Sequence, residues 1–428
     1  MKYIISTLGC KVNQYETQAM ETLLRSHGHS QAARGEAADA VIVNTCAVTA
    51  ESGHKSRQVI RRLAQENPGA VIAVSGCYSQ LEPEKVKELG AAVIFGSGDR
   101  VKLVEAVERA VETGEGEYNI DRPFARRVFE ELPSGAMSGR TRAMLKIQDG
   151  CVNFCSYCII PYTRGRLRSL SLEAAAAESA KLASMGYKEI VLTGIEVASY
   201  GVDLPGKPDL ADVVCAVSEA APGLRIRMGS IEPTVITDEF CRRLSKSADM
   251  CRHFHLSLQS GCDRTLKNMN RKYDTEFFFS VTERLRKYFP GCALTTDLIT
   301  GFPGETDEDQ VQTLEFIRKC AFADMHIFPY SRRPGTPADK MPEQCTNAVK
   351  AARAAQAQRV AQQMHREFLE GCIGLTLPVL FETETDGFST GHSDTYMNVR
   401  VRGEGLHGMV KNVKITGDED DILIGNVN

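Results

Sequence analysis

The stretch Cys151-Val-Asn-Phe-Cys155-Ser-Tyr-Cys158 places three thiols within eight residues, at spacings x3 and x2, with no fourth close behind. Structural zinc wants four closing ligands, usually as two separated pairs, and this triplet lacks that form. A 4Fe-4S cluster held by cysteine thiolates fits better, because three protein ligands leave one iron open to bind a substrate or cofactor. Three further cysteines, Cys10, Cys46 and Cys77, each close an apolar run: KYIISTLGC, DAVIVNTC and AVIAVSGC. If those runs are parallel strands of one sheet, their ends lie along one edge, where open α/β sheets hold ligands. Three isolated cysteines acting as small apolar fillers are the competing reading, and their shared register makes a metal site the better one.

The elements that must position these groups fall into three blocks. In residues 1–125, apolar runs alternate with helix-length segments such as NQYETQAMETLLRSHG and SGHKSRQVIRRLAQENPG, which predicts a parallel sheet covered by helices. A polar, arginine-bearing linker follows over 126–140. Residues 141–365 repeat the β/α alternation six times, with strands expected at AMLKIQDG, KEIVLTG, LRIRMGS, HFHLSLQSG, ALTTDLITG and DMHIFPYS. Six units are too few for a closed eight-fold barrel, so the expected form is a partial, TIM-like (β/α)6 barrel with its site at the strands' C-terminal ends. The fold class is thus α/β, with a small terminal β-barrel over residues 366–428, where short strands from Leu375 onward are separated by glycine and aspartate turns.

Composition excludes little: 428 residues, 43% hydrophobic and a net charge of −4 describe an ordinary multi-domain globular protein with no global attraction to nucleic acid. MKYIISTLGC resembles a lipoprotein signal only superficially, because its apolar run is too short. No apolar segment approaches the roughly 20 residues of a membrane span, so a soluble, cytoplasmic protein without membrane partners is expected. There its 14 cysteines are expected to be reduced, and clusters of them point to metal rather than disulfides. The eight outside the two trios (215, 241, 251, 262, 292, 320, 345 and 372) read as fillers, and His253 and His255, alternating on a strand, as structural.

With Tyr157 before its last cysteine, the Cys151, Cys155, Cys158 motif resembles the signature of radical S-adenosylmethionine (SAM) enzymes. The resemblance implies that SAM chelates the open iron and is split to a 5′-deoxyadenosyl radical that abstracts hydrogen. LTGIEVASYG resembles the family's glycine-rich segment near the methionine end of SAM, which makes Gly194 and Glu196 candidates. HLSLQSG offers Ser257 and Gln259 to the ribose, and DLITGFPGET offers Asp297, Gly301 and Gly304 to the adenosyl group. Ordinary turn glycines and helix caps are the alternatives for each.

Over essentially the whole chain the sequence is similar to the methylthiotransferases. GCKVNQYET, NTCAVTA and SGC resemble the domain in which Cys10, Cys46 and Cys77 would hold a second 4Fe-4S cluster; YSRRPGTPA resembles the end of the barrel domain, and the last block the RNA-binding TRAM domain. The implied reaction is radical hydrogen abstraction, sulfur insertion and SAM-dependent methylation, with tRNA (its anticodon stem-loop) as substrate partner and flavodoxin or ferredoxin as electron donor. GCKVNQYE and NTCAVT most resemble the branch acting on carbon 2 of N6-threonylcarbamoyladenosine beside the anticodon. Branches acting on isopentenyladenosine in tRNA or on a ribosomal-protein aspartate usually carry GCQMN with NTCSVR, or GCPKN with NTCGF, and remain alternatives. A pairing of Lys11 with the threonyl carboxylate is the matching hypothesis. A non-catalytic RNA-binding protein holding structural zinc is a further alternative, against which the x3-x2 triplet argues. The terminal block carries nine acidic and four basic residues over 372–428, unlike a phosphate-binding barrel. Positive charge lies instead in GHKSRQVIRR, YTRGRLR, YSRR and KAARAAQAQR, and Arg164, Arg166 and Arg168 are expected to help hold the anticodon stem.

Overall fold

The computed structural model describes residues 1–134 and 141–427; of the expected linker, residues 135–140 lie outside the described residues. The N-terminal block is a parallel sheet of six strands in the spatial order Ser30–Gln31, Lys2–Thr7, Ala40–Thr45, Val71–Gly76, Val93–Phe95, Glu117–Asn119. The three strands that lead into cysteines are neighbours at its centre, with Thr7 level with Asn44 and Thr45 with Gly76, so their C-terminal ends align. Ala40–Thr45 is buried at every residue. Both of its faces are covered, by Met20, Leu24, Leu103 and Val107 on one side and Ile60 and Leu63 on the other. That double cover explains why these strands read as continuous apolar runs rather than alternating ones.

In the second block, six parallel strands follow one another in chain order: Arg142–Asp149, Glu189–Gly194, Arg225–Met228, His253–Gln259, Ala293–Thr300 and Asp324–Pro329. Isolated bridges at Ile226–Met250 and Ile231–Leu256 join the two halves of this curved sheet. Among the described residues the sixth strand pairs only with the fifth, so the barrel is open, as expected. Helix Asn347–Cys372 packs on the sixth strand and runs through the boundary expected at residue 365; β structure resumes at Thr376.

The terminal block is a closed five-stranded barrel. Its core of Val379, Phe381, Val399, Val413 and Leu423 merges with Leu369 and Cys372 of the long helix and with Ala293 and Ala323 at the starts of the fifth and sixth strands. Arg252 pairs with Asp394 at 2.7 Å, and Arg225 donates to the Ser393 carbonyl at 3.0 Å. The small barrel therefore seats against the N-terminal ends of the open barrel's strands, opposite the loops that carry the x3-x2 triplet. No helix among the described residues is long and apolar enough to cross a membrane.

Candidate active site

Strand Arg142–Asp149 hands directly to the triplet through Gly150, at φ +78°. A Cβ there would stand 1.9 Å from the Arg166 carbonyl oxygen, so glycine is required. The Cys151 amide then donates to the Gly165 carbonyl (3.0 Å), the Cys158 amide to the Cys155 carbonyl (2.9 Å), and Phe154 adopts left-handed backbone at φ +49°. The loop is thus folded back so that its three sulfurs face one region. Arg271 braces it: its Nη1 donates to Cys155 Sγ at 3.2 Å, and its Nη2 donates to the Ser257 carbonyl (3.1 Å) and pairs with Glu232 at 2.6 Å. Asn153 Nδ2 donates to Glu196 Oε2 (2.7 Å), tying the loop to the next strand end. Burial, with Glu232 adding to it, pushes the Glu196 carboxyl up to about 7.

The other trio forms at the edge of the N-terminal sheet. Cys10 caps helix Lys11–Ser26, Cys46 follows its strand directly, and Cys77 opens helix Cys77–Leu81. Gly9, at φ +105°, lets the backbone pass so close to Cys46 that a Cβ would stand 2.8 Å from its sulfur; Gly76, at φ +106°, does the same against the Thr45 carbonyl. Asn13 holds two of the loops together by donating to the Leu8 and Thr45 carbonyls, at 2.8 and 3.0 Å.

Arg164, six residues beyond Cys158, links the trios. Its Nε donates to Cys77 Sγ at 3.3 Å and its Nη2 to Asn13 Oδ1 at 2.9 Å, while its guanidinium pairs with Glu16. Around it lies a buried ion network: Arg100 pairs with Glu16 at 2.7 Å, Lys146 with Asp149 at 3.3 Å and Arg168 with Asp149 at 3.4 Å. Arg164 and Arg168 are therefore part of the joint between sheet and barrel and do not face an RNA, which corrects the sequence expectation; Arg166 remains exposed. Four buried cations here face two carboxylates, which suits neighbours that become anionic.

The donor sets fit iron-sulfur clusters. Among the described residues, the set tight enough for one ion, with ligand atoms within 4.8 Å of one another, is His255, Asp297 and His326. Neither cysteine trio meets that spacing, so neither is arranged around a single zinc. Burial pushes the thiols of Cys151 and Cys158 up to about 12. Protons leave these sulfurs only when a cation replaces them. Arg271 and Arg164 supply the N–H donors and positive charge that tune thiolate-bound iron.

Other candidates are placed unevenly. Tyr157 packs on the small cluster of Met269, Phe302, Tyr330 and Ala338. Gly194 ends the second strand and Gln259, at φ +70°, the fourth; the Ser257 carbonyl serves Arg271. Gly301 turns at φ +69° with its amide donating to Glu305 and its Cα against Lys350, and Gly304 likewise turns at φ +77°. Asp297 sits deeper, between His255 (3.3 Å) and His326 (3.2 Å), rather than at the strand end. Arg271, Asn13 and Glu232 were missed, since single polar residues in loops carry no periodicity. Six of the remaining cysteines are buried, and Cys215 and Cys345 partly so.

The model of the radical SAM superfamily matches residues 145–317, and that of the uncharacterized protein family UPF0004 matches residues 2–96. The threonylcarbamoyladenosine tRNA methylthiotransferase MtaB of Bacillus subtilis is 40% identical over 417 residues, covering 96% of this chain and 92% of that protein. The tRNA-2-methylthio-N(6)-dimethylallyladenosine synthase of Pelotomaculum thermopropionicum is 36% identical, covering 97% and 95%. In fold, the chain is similar to the radical SAM methyltransferase TsrM of Kitasatospora setae, with a TM-score of 0.58 at 16% identity, covering 90% of this chain and 79% of that one. An open barrel carrying the triplet at its strand ends is that of a radical SAM enzyme, a class that uses a 4Fe-4S cluster and SAM. Within it, this chain belongs to the tRNA methylthiotransferases.

Proposed function

We propose that this enzyme methylthiolates carbon 2 of N6-threonylcarbamoyladenosine next to the tRNA anticodon. In this reading Cys151, Cys155 and Cys158 hold the cluster that binds SAM, and Cys10, Cys46 and Cys77, within residues 1–125, hold a second 4Fe-4S cluster. The clusters and SAM supply hydrogen abstraction and the sulfur and methyl groups; the chain's residues position them. Arg271 and Asn153 fix the triplet loop between two strand ends, and Glu196 and Gln259 stand where SAM's polar groups would meet the strands. The buried Arg164 network sets the distance between the trios.

The observation that supports the reading is that Arg164, six residues beyond Cys158, hydrogen-bonds Cys77 of the other trio, which ties the loop after one trio to the other. Among relatives, both the threonylcarbamoyl and the dimethylallyl enzymes are similar to this chain, the former slightly more so. The test is anaerobic: reconstituted protein, SAM, reductant and tRNA lacking the methylthio group, with nucleosides and 5′-deoxyadenosine measured by mass spectrometry. Formation of 2-methylthio-N6-threonylcarbamoyladenosine is expected. 5′-Deoxyadenosine with only the dimethylallyl nucleoside modified would keep the triplet's role and overturn the substrate. Flavodoxin or ferredoxin is the electron donor to try first.

A further inference from the structure

Residues from separate elements meet at one cavity that the cysteines do not account for. Lys11, first in helix Lys11–Ser26, His255 of the fourth strand and His326 of the sixth border a cavity of about 90 Å³. Lys11 also borders a neighbouring cavity of about 520 Å³, walled by Arg142, Arg227, Tyr396 and Glu382, the last two from the terminal barrel.

The charges there are not equally free. Arg142 is paired with Glu382 at 2.7 Å and Arg227 with Glu189 at 2.8 Å, and Arg227 also stacks on Tyr396, 4.3 Å from its ring centre. Asp297 is shared by His255 and His326. Asp324, the one carboxylate bordering the smaller cavity among the described residues, accepts from the Met325 amide at 2.7 Å. Lys11 has no carboxylate within salt-bridge distance among the described residues. His326 uses Nδ1 on Asp297, and its side chain is 64% exposed, which leaves the Nε2 edge for a ligand. Asp297 beside it also favours the imidazolium. His255, Asp297 and His326 meet the spacing of a single-ion site, but the ammonium of Lys11 shares the cavity, and that field favours an anion over a cation.

We propose that Lys11 and His326 form an anion subsite for the carboxylate of an amino-acid group carried on the target adenine, with Asp297 as the positioning residue for His326. This deepens the substrate reading above and rests on it. A charge-assisted pair on a carboxylate gives discrimination against the neutral form that an apolar pocket does not.

The test uses the anaerobically reconstituted holoenzyme and two otherwise identical anticodon stem-loop RNAs, one bearing N6-threonylcarbamoyladenosine and the other its methyl ester. Wild type is expected to show a KM on the order of tenfold lower for the acid than for the ester. His326→Phe and Lys11→Met should each raise KM for the acid by about that factor and erase the difference between acid and ester, while Lys11→Arg keeps it. Iron and sulfide content shows whether Lys11→Met, next to Cys10, retains its clusters, and the exposed His326 carries the test if it does not. Equal KM values for acid and ester in wild type, or variants that weaken both RNAs equally, would overturn the subsite; the second result would mean that these groups hold RNA phosphate. Failure of wild type to modify the acid RNA while modifying isopentenyladenosine would overturn the substrate reading, and the subsite with it.

Discussion

Arg271 carries more connections than any residue singled out in its stretch of sequence. It touches the sulfur of Cys155, the hydroxyl of Tyr157 at 3.5 Å, a strand-end carbonyl and Glu232. Taking it away removes a positive charge and an N–H from Cys155 and strands a buried carboxylate. Arg271→Met should therefore slow 5′-deoxyadenosine formation by roughly 10- to 100-fold while Cys151, Cys155 and Cys158 still bind iron, with Arg271→Lys intermediate. Unchanged turnover together with an unchanged cluster reduction potential would show the bond to sulfur to be incidental. The six cysteines were legible because thiols are scarce and their spacing is chemical information in itself. Arg164 and Arg168 misled for the opposite reason: an arginine run is the same text whether its guanidinium groups meet water or a buried Glu16 and Asp149.

At the scale of elements, each trio depends on a glycine at the strand-to-loop turn. Gly150→Ala should abolish the triplet's cluster and leave the other, so about half the iron is lost; Gly76→Ala, whose Cβ would stand 2.3 Å from the Thr45 carbonyl oxygen, should do the reverse. Iron per chain and the spectra of the remaining cluster separate the two outcomes, and full iron in either variant would show that the turn can relax. Long helices were readable here because each is buried along one stripe, and the central strands because, covered on both faces, they read as continuous apolar runs. Ser30–Gln31, Val93–Phe95 and Glu117–Asn119 were not, being two or three residues long, too short for any pattern to emerge. The cavity shared by Lys11 and His326 was invisible for a different reason: its walls come from three blocks far apart in sequence.

At the scale of the whole molecule, the joint between the N-terminal sheet and the barrel is ionic and buried. Glu16 and Asp149 are held well below the usual carboxylate range by the surrounding cations, against the opposing effect of burial. Because their pKa values are depressed on folding, the stability they lend is present above the unfolded range, near pH 4.5, and drains away as pH falls below it. Melting curves should therefore shift steeply downward below about pH 4.5. Glu16→Gln should already be less stable at neutral pH, by about 3 kcal/mol, with a flatter acid limb. An identical acid limb in the variant would place the sensitivity elsewhere. The same joint holds four buried cations against two carboxylates, and Cys77, whose sulfur accepts from Arg164, adds a negative charge there only when a metal takes the place of its proton. Metal loading would then bear on the stability of the whole joint: chains without metal keep uncompensated buried charge and should melt at a lower temperature than loaded ones.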